Sequence, residues 1–169
     1  VFHVLTSPGG AIVPPPYIPE EGTTEQTDYK YGYVAFEDNW TSKGDYDLND
    51  VVMKYETYIT YVQKTIKENP NDPPKPYGDP FVRRVTDKVS LVHAGADFNN
   101  AFAYKVDISP QSLAKITVNN EPFNVVPDGN GFLVELCPNV NDVIVPYEYG
   151  TTPKDYYIMM EFHEDLDKY

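Results

Sequence analysis

The run from Leu48 to Gln63 constrains the fold most, because its apolar residues recur at every second position. The more apolar side of the run consists of Val51, Met53, Tyr55, Thr57, Ile59 and Tyr61. A period of two is that of a half-exposed antiparallel strand, whereas an amphipathic helix needs apolar residues every three or four positions. We therefore predict one long strand over 48–63.

Shorter apolar runs elsewhere in the chain also predict strands, and turn residues separate them. Lys30 to Glu37 is apolar on both sides, which predicts a central position in a sheet. Ser109 followed by Pro110 is typical of a helix start and predicts a single helical turn. The further predicted strands are 81–93, 101–108, 116–118, 123–126, 132–136, 143–149 and 156–162. This pattern predicts an all-β fold with very little helix, an antiparallel, jelly-roll-like β-sandwich.

The 169 residues fit one domain with an appended arm. Residues 1–29 contain a Gly-Gly pair and three consecutive prolines, and we expect an extended arm that can add a strand, with a loop over 20–28. Residues 30–169 are expected to form a single sandwich domain. Five prolines between 64 and 80 predict a long loop there.

The chain is strongly acidic, with 26 Asp and Glu against 13 Lys and Arg and a formal net charge of −13. This balance argues against nucleic acid and against an anionic membrane surface as partners. No apolar run reaches about 18 residues, so no direct membrane insertion is expected. Cys137 is the single cysteine, which excludes an intrachain disulfide. Since the chain begins at Val1, we expect a mature fragment from which a targeting segment was removed.

The stretch from Tyr31 to Tyr55 is predicted to form two strands around an acidic turn. The candidate metal ligands in it are Glu37, Asp38, Asp45, Asp47, Asn49 and Asp50. Alternate oxygen side chains, as at 45, 47 and 49, can converge on a hard cation, and calcium is favoured over magnesium, which keeps its waters. Zinc would require His or Cys, which the turn lacks. The alternative is that these residues only cap their own backbone in a turn.

Two segments of the chain resemble the LruC-type domain of bacterial surface and secreted proteins. AFEDNWTSKGDYDLNDVVMKY resembles the family signature FEDxWPSxGDYDFNDxVxxY, and HAGADFNNAFAYKVDI resembles GAxYNNGFxxxL. The resemblance covers about Gly32 to Ile108, with Thr41 where proline is common and Leu48 where an aromatic residue is common. It implies a β-domain that is extracellular or anchored at the cell surface, without an established activity. It also favours calcium at Asp45, Asp47 and Asn49.

A few residues outside the acidic turn are candidates for binding. Trp40, Tyr58 and Tyr61 can stack on sugar rings, although packing in the core or at a sheet edge is the more common role of such residues. Asp97, Asn99 and Asn100 form either a second polar site or only a turn. The three histidines are widely spaced, and no GxSxG motif of a serine hydrolase is present.

The expected function is that of a non-catalytic extracellular or cell-surface module stabilised by calcium. Such a module would serve adhesion, carbohydrate contact or surface assembly, with carbohydrate or other surface proteins as partners. One alternative is a glycan hydrolase that uses a pair of carboxylates. The other alternative is a structural spacer in a larger surface protein.

Overall fold

A computed structural model describes residues 18–37, 48, 50–95, 99–146, 148, 150 and 152–164. The chain divides into two compact units, one made of residues 1–25 and 62–80 and a larger one made of 26–61 and 81–169. The strands are β1 (Glu20–Phe36), β2 (Val51–Lys67), β3 (Lys75–Pro76), β4 (Phe81–Ala94), β5 (Phe102–Val106), β6 (Leu113–Val118), β7 (Glu121–Pro122), β8 (Val126–Asp128), β9 (Gly131–Cys137) and β10 (Lys154–Phe162).

The larger unit contains two antiparallel sheets. The first sheet has the strand order β1-β2-β4-β10-β6-β7, and the second has the order β5-β9-β8. Within the described residues, helical structure is limited to two 3₁₀ turns, Pro110–Ser112 and Val140–Asp142. The prediction of an all-β antiparallel sandwich with very little helix is confirmed.

The core lies where alternate residues of both sheets turn inward. On β10 the even-numbered residues from Tyr156 to Phe162 are buried, and Ile158 lies between Asp87 of β4 and Val118 of β6. The second sheet contributes Phe102 from β5 and Phe132 and Val134 from β9, all in the same buried cluster. Burial of these side chains is the main source of stability, at roughly 25 cal/mol for each Å² of apolar surface removed from water.

The prediction that Lys30 to Glu37 lies centrally in a sheet is wrong. These residues belong to β1, which stands at one end of the order formed by the described strands of its sheet. Tyr31 and Tyr33 are exposed there. Apolar residues on both sides of a strand indicate a central position only if they are buried, and tyrosine tolerates exposure because its ring carries a polar hydroxyl.

Several strand boundaries also differ from the sequence-based predictions. The loop predicted over 20–28 is part of β1, whose exposed polar residues lack the alternation that would reveal a strand. The strand predicted from Leu48 begins only at Val51, and Leu48 has a left-handed φ of 54° that a regular strand does not admit. The strand predicted over 123–126 is replaced by β8, which begins at Val126.

The described part of 143–149 forms no strand, so that prediction is also wrong. The segment follows the 3₁₀ turn Val140–Asp142, in which Asn139 accepts a hydrogen bond from the backbone of Asn141. Val140 and Ile144 are buried in the core, so their apolar character serves packing rather than pairing. Pro146 lacks the N–H that a strand would use.

The smaller unit contains the proline-rich segment, which is not a plain loop. β2 continues through Lys67, and Thr65 and Ile66 pair with Pro76 and Lys75 of β3. Gln63 donates hydrogen bonds from its side chain to the carbonyls of residues 77 and 78, at 3.0 and 3.1 Å. Residues 68–74 connect the two strands without regular structure.

No helix in the described part of the chain is long and apolar enough to cross a membrane.

Candidate functional site

A cavity of about 300 Å³ lies where β1 ends and β2 begins. Its polar lining residues are Glu37, Asp50 and Asn100. Its apolar lining residues are Phe36, Val51, Ala101, Phe102, Ala103 and Val140. The cavity therefore places two carboxylates and an amide beside a mainly apolar wall.

Backbone hydrogen bonds hold the walls of this cavity together. The carbonyl of Asp50 accepts a hydrogen bond from the N–H of Gly95 at 2.9 Å, and Asp50 is only 7% exposed. The carbonyl of Asn100 accepts one from the N–H of Val140 at 2.8 Å. Because the backbone carbonyls of Asp50 and Asn100 are both hydrogen-bonded, the backbone positions from which these two side chains extend are well defined.

The predicted ligands divide into two groups. Glu37 and Asp50, the two ends of the acidic stretch, line the same cavity. The remaining candidates lie outside the described residues, namely Asp38, Asp45, Asp47 and Asn49. β1 and β2, which flank the stretch, are neighbours in the sheet as the sequence predicted.

The polar residues that line the cavity carry carboxylate and amide oxygens. Carboxylate and amide oxygens are the ligands that calcium takes, in shells of six to eight. Among the residues that the structure describes, no three His, Cys, Asp or Glu side chains are grouped so that they could hold a metal ion. A complete shell at this cavity would therefore also use other oxygens, such as backbone carbonyls, water or acidic side chains between 37 and 50.

Asn100 is the residue of this site that sequence reasoning assigned elsewhere. The polar group Asp97, Asn99 and Asn100 was expected to be a turn or a separate site, and Asp97 lies outside the described part. Asn100 instead lines the cavity together with Glu37 and Asp50. The sequence contained one clue to this position. Asn100 lies in the second of the two segments that resemble the LruC-type domain, and residues of two segments from one domain signature can lie close together.

Comparison with protein-family models, with curated proteins and with solved structures gives no match. The likeness to LruC-type domains therefore remains a prediction from the two segments that carry it.

The aromatic candidates are in different environments. Trp40 lies outside the described residues. Tyr58 is exposed on β2, and its ring lies 4.8 Å from that of Tyr29 on β1, measured between centroids. Tyr61 is half-buried, and strand alternation places it on the opposite side of β2 from Tyr58. Of these two tyrosines, Tyr58 is therefore the better placed to contact a ligand.

Proposed function

We propose that this chain is a non-catalytic module of a bacterial cell surface or secreted protein, stabilised by calcium, which serves adhesion, carbohydrate contact or surface assembly. The observation that carries the proposal is that Glu37 and Asp50, from the two ends of the acidic stretch, line one cavity with Asn100. Bringing carboxylates together next to apolar surface is costly unless a cation or hydrogen-bond donors compensate for it. A calcium ion coordinated by these oxygens would reduce the repulsion between the carboxylates and tie the ends of β1 and β2 together.

The net charge of −13 supports the same proposal. Carboxylates in excess repel one another, and a divalent cation reduces this repulsion where it binds. Calcium sites of extracellular modules have dissociation constants of about 10⁻⁴ to 10⁻³ M, which matches the calcium concentrations outside cells. A surface location therefore fits a weak site built from a few side chains.

Calcium titration by calorimetry tests the ligands directly. We expect the wild-type chain to bind one calcium ion with a dissociation constant of about 10⁻⁴ to 10⁻³ M. Asp47→Ala should abolish the binding, because it removes a charged ligand from the centre of the alternating set. Asp79→Ala, which removes an exposed carboxylate elsewhere, should leave it unchanged. Calcium binding by Asp47→Ala equal to that of the wild type would contradict the proposed site.

A matched pair of asparagines tests whether the cavity itself takes part. Asn100 lines the cavity, whereas its neighbour Asn99 is exposed and does not. Asn100→Ala should weaken calcium binding about tenfold, the effect of losing roughly 1.4 kcal/mol of ligand interaction. Asn99→Ala should have no effect. Equal results for the two variants would place the cation away from the cavity.

A glycan hydrolase is the second candidate, because Glu37 and Asp50 put two carboxyl groups on the same cavity. Glycosidases use such a pair, separated by about 5–5.5 Å for retention or about 6.5–9.5 Å for inversion. Release of reducing sugar from a panel of polysaccharides, abolished by Glu37→Gln, would establish the hydrolase. Absence of release from every member of the panel would favour the non-catalytic module.

A further inference from the structure

We propose that the outer face of the first sheet binds neutral polysaccharide by stacking sugar rings on a row of tyrosines. This inference rests on the proposed role as a binding module and names its ligand class and binding surface. We call this surface the tyrosine face. It consists of Tyr29, Tyr31 and Tyr33 on β1, Lys54, Glu56 and Tyr58 on β2, Lys88 on β4, and Asp155 and Tyr157 on β10.

Strand alternation places these side chains on one side of the sheet. On β2, Val51 and Met53 belong to the core, so Lys54, Glu56 and Tyr58 point the other way. On β10, Tyr156 and Ile158 are buried in the core, which places Asp155 and Tyr157 on the outer side. The three tyrosines of β1 are two residues apart and share a face, and the contact of Tyr29 with Tyr58 shows which face it is.

All five tyrosines are exposed, and three of them, Tyr29, Tyr31 and Tyr58, form a cluster of contacting rings. The five side chains are between 45% and 67% exposed, although tyrosine buries a large apolar ring when it packs in a core. The Tyr29 ring lies 5.7 Å from Tyr31 with an interplanar angle of 21°, and 4.8 Å from Tyr58 with an angle of 33°. From Tyr29 to Tyr33 the row extends about 14 Å along the strand, at about 3.4 Å per residue.

On the opposite side of β1, Gly32 leaves room for an aromatic ring of β2. A Cβ atom at Gly32 would lie 2.7 Å from the hydroxyl oxygen of Tyr55, so only glycine leaves room for the Tyr55 ring across the strand. Tyr55 therefore packs against β1 from the core side. The tyrosines at 29, 31 and 33 remain on the outer side.

The charges on the tyrosine face compensate one another, which identifies the kind of ligand. Lys54 forms an ion pair with Glu56, and Lys88 forms one with Asp155 at 2.9 Å. Both lysines are thus paired, and a polyanion approaching a chain of net charge −13 would find no spare cation among them. A neutral sugar chain fits this surface, since its hydroxyls can donate to Glu56 and Asp155 and accept from the lysines while its rings stack on tyrosine.

Net charge also makes a second copy of the chain a poorer occupant of the tyrosine face. Each copy carries a net charge of −13. Two copies therefore repel one another once they approach to within the screening length of the salt solution. The occupant that the charges favour is uncharged.

Affinity electrophoresis of the full chain tests the proposal. The probes are three neutral soluble polysaccharides, namely mixed-linkage β-glucan, galactomannan and arabinoxylan, with polygalacturonate as the anionic comparison. We expect retardation by at least one neutral polysaccharide and none by polygalacturonate. No retardation by any of the neutral polysaccharides, or retardation by polygalacturonate alone, would overturn the proposal.

Substitutions locate the binding on the tyrosine face. Tyr31→Ala and Tyr58→Ala should each weaken retardation about tenfold, whereas Tyr31→Phe, which keeps the ring, should not. Tyr77→Ala is the matched control, because Tyr77 is exposed but lies outside the face. Melting temperatures establish that every variant is folded. Unchanged binding in folded Tyr31→Ala and Tyr58→Ala would overturn the proposal, as would a dimer in sedimentation equilibrium that Tyr31→Ala dissociates.

The same measurements in calcium and in chelator separate this inference from the proposed calcium site. A chain that calcium stabilises but that binds no neutral polysaccharide overturns the inference and leaves the calcium site standing. A chain that binds neutral polysaccharide through the tyrosine face but ignores calcium supports the inference and contradicts the calcium site.

Discussion

Asp87 and Tyr104 form a partly buried polar contact between the two sheets. The Tyr104 hydroxyl donates a hydrogen bond to Oδ2 of Asp87 at 2.5 Å, and Asp87 is only 2% exposed. A buried carboxylate requires hydrogen-bond donors, because it has lost its hydration. The contact therefore fixes how β4 of the first sheet faces β5 of the second.

Tyr104→Phe should destabilise the fold by about 1–3 kcal/mol, because it removes a donor to a buried carboxylate while keeping the ring. Urea unfolding measures the loss. Tyr77→Phe, which removes the hydroxyl of an exposed tyrosine, should stay within about 0.5 kcal/mol of the wild type. A similar free energy of unfolding for Tyr104→Phe and the wild type would show that Asp87 does not depend on this donor.

Alkaline pH should weaken the fold through the same tyrosine. Burial, followed by the charge and hydrogen bond of Asp87, raises the pKa of Tyr104 well above its ordinary value of 10.0. The unfolded chain then loses the Tyr104 proton near pH 10, whereas the folded chain keeps it, so stability is full below about pH 10 and falls as the pH rises beyond it.

The measurement is the free energy of unfolding between about pH 9 and 11.5, where each such tyrosine costs up to about 1.4 kcal/mol per pH unit. The fall should be smaller in Tyr104→Phe. It should not vanish, because burial and the hydrogen bond with Cys137 also raise the pKa of Tyr156. If the free energy of unfolding of the variant fell as steeply with pH as that of the wild type, Tyr104 would be excluded as a source of the pH dependence.

The burial of single residues could be predicted from the sequence where the pattern within one strand was sufficient. The alternation of Val85, Val89 and Leu91 predicted the core face of β4, and two of these three residues are fully buried. Asp87 lies on that same face, and nothing in its own strand explains a carboxylate there. Its partner Tyr104 is 17 residues away on another sheet, so only the fold reveals the pair.

At the scale of elements, hairpin turns set the pairing of the shorter strands. Asn119 and Asn120 join β6 to β7 with positive φ angles of 53° and 69°, as a tight hairpin requires. Asn119 does more than turn the chain. Its side-chain oxygen accepts a hydrogen bond from the N–H of Tyr157 at 3.0 Å, and its own N–H donates to the carbonyl of Tyr157 at 2.8 Å.

Asn119→Ala should cost about 1–3 kcal/mol of stability, since alanine tolerates positive φ poorly and cannot accept the bond from β10. Thermal unfolding checks the loss. Asn130→Ala is the control, because Asn130 is exposed in the other hairpin turn and its φ is not positive. Equal melting temperatures for the two variants would contradict this role of Asn119.

The elements that sequence predicted best are those whose burial alternates. β4 and β10 were found nearly to the residue, because one side of each packs in the core. β1 was found only in its second half, since its first residues are exposed on both sides and show no alternation. Segment 143–149 was mistaken for a strand because Val143 and Ile144 pack against the core just after a 3₁₀ turn and pair with no strand in the described part of the chain.

At the scale of the whole molecule, the strand order could not be derived from the sequence. β10 lies between β4 and β6, which are distant from it along the chain, and such pairing depends on contacts that no local pattern encodes. The neighbouring placement of β1 and β2 was predictable, because a short acidic segment joins them. Asn100 at their common cavity comes from a third segment of the chain, and only the resemblance to one family signature connected that segment with the acidic stretch.

The central claim is that a calcium ion bound at the acidic stretch stabilises the folded chain. Thermal unfolding of demetallated protein tests it, in chelator and in about 10 mM calcium, a hundredfold excess over a dissociation constant of about 10⁻⁴ M. Binding to the folded state alone then contributes about 2.7 kcal/mol, which raises the melting temperature by about 5–10 °C. Asp47→Ala should remain folded and show no shift, whereas Asp79→Ala should shift as the wild type does. An equal melting temperature of the wild type in calcium and in chelator would contradict the claim.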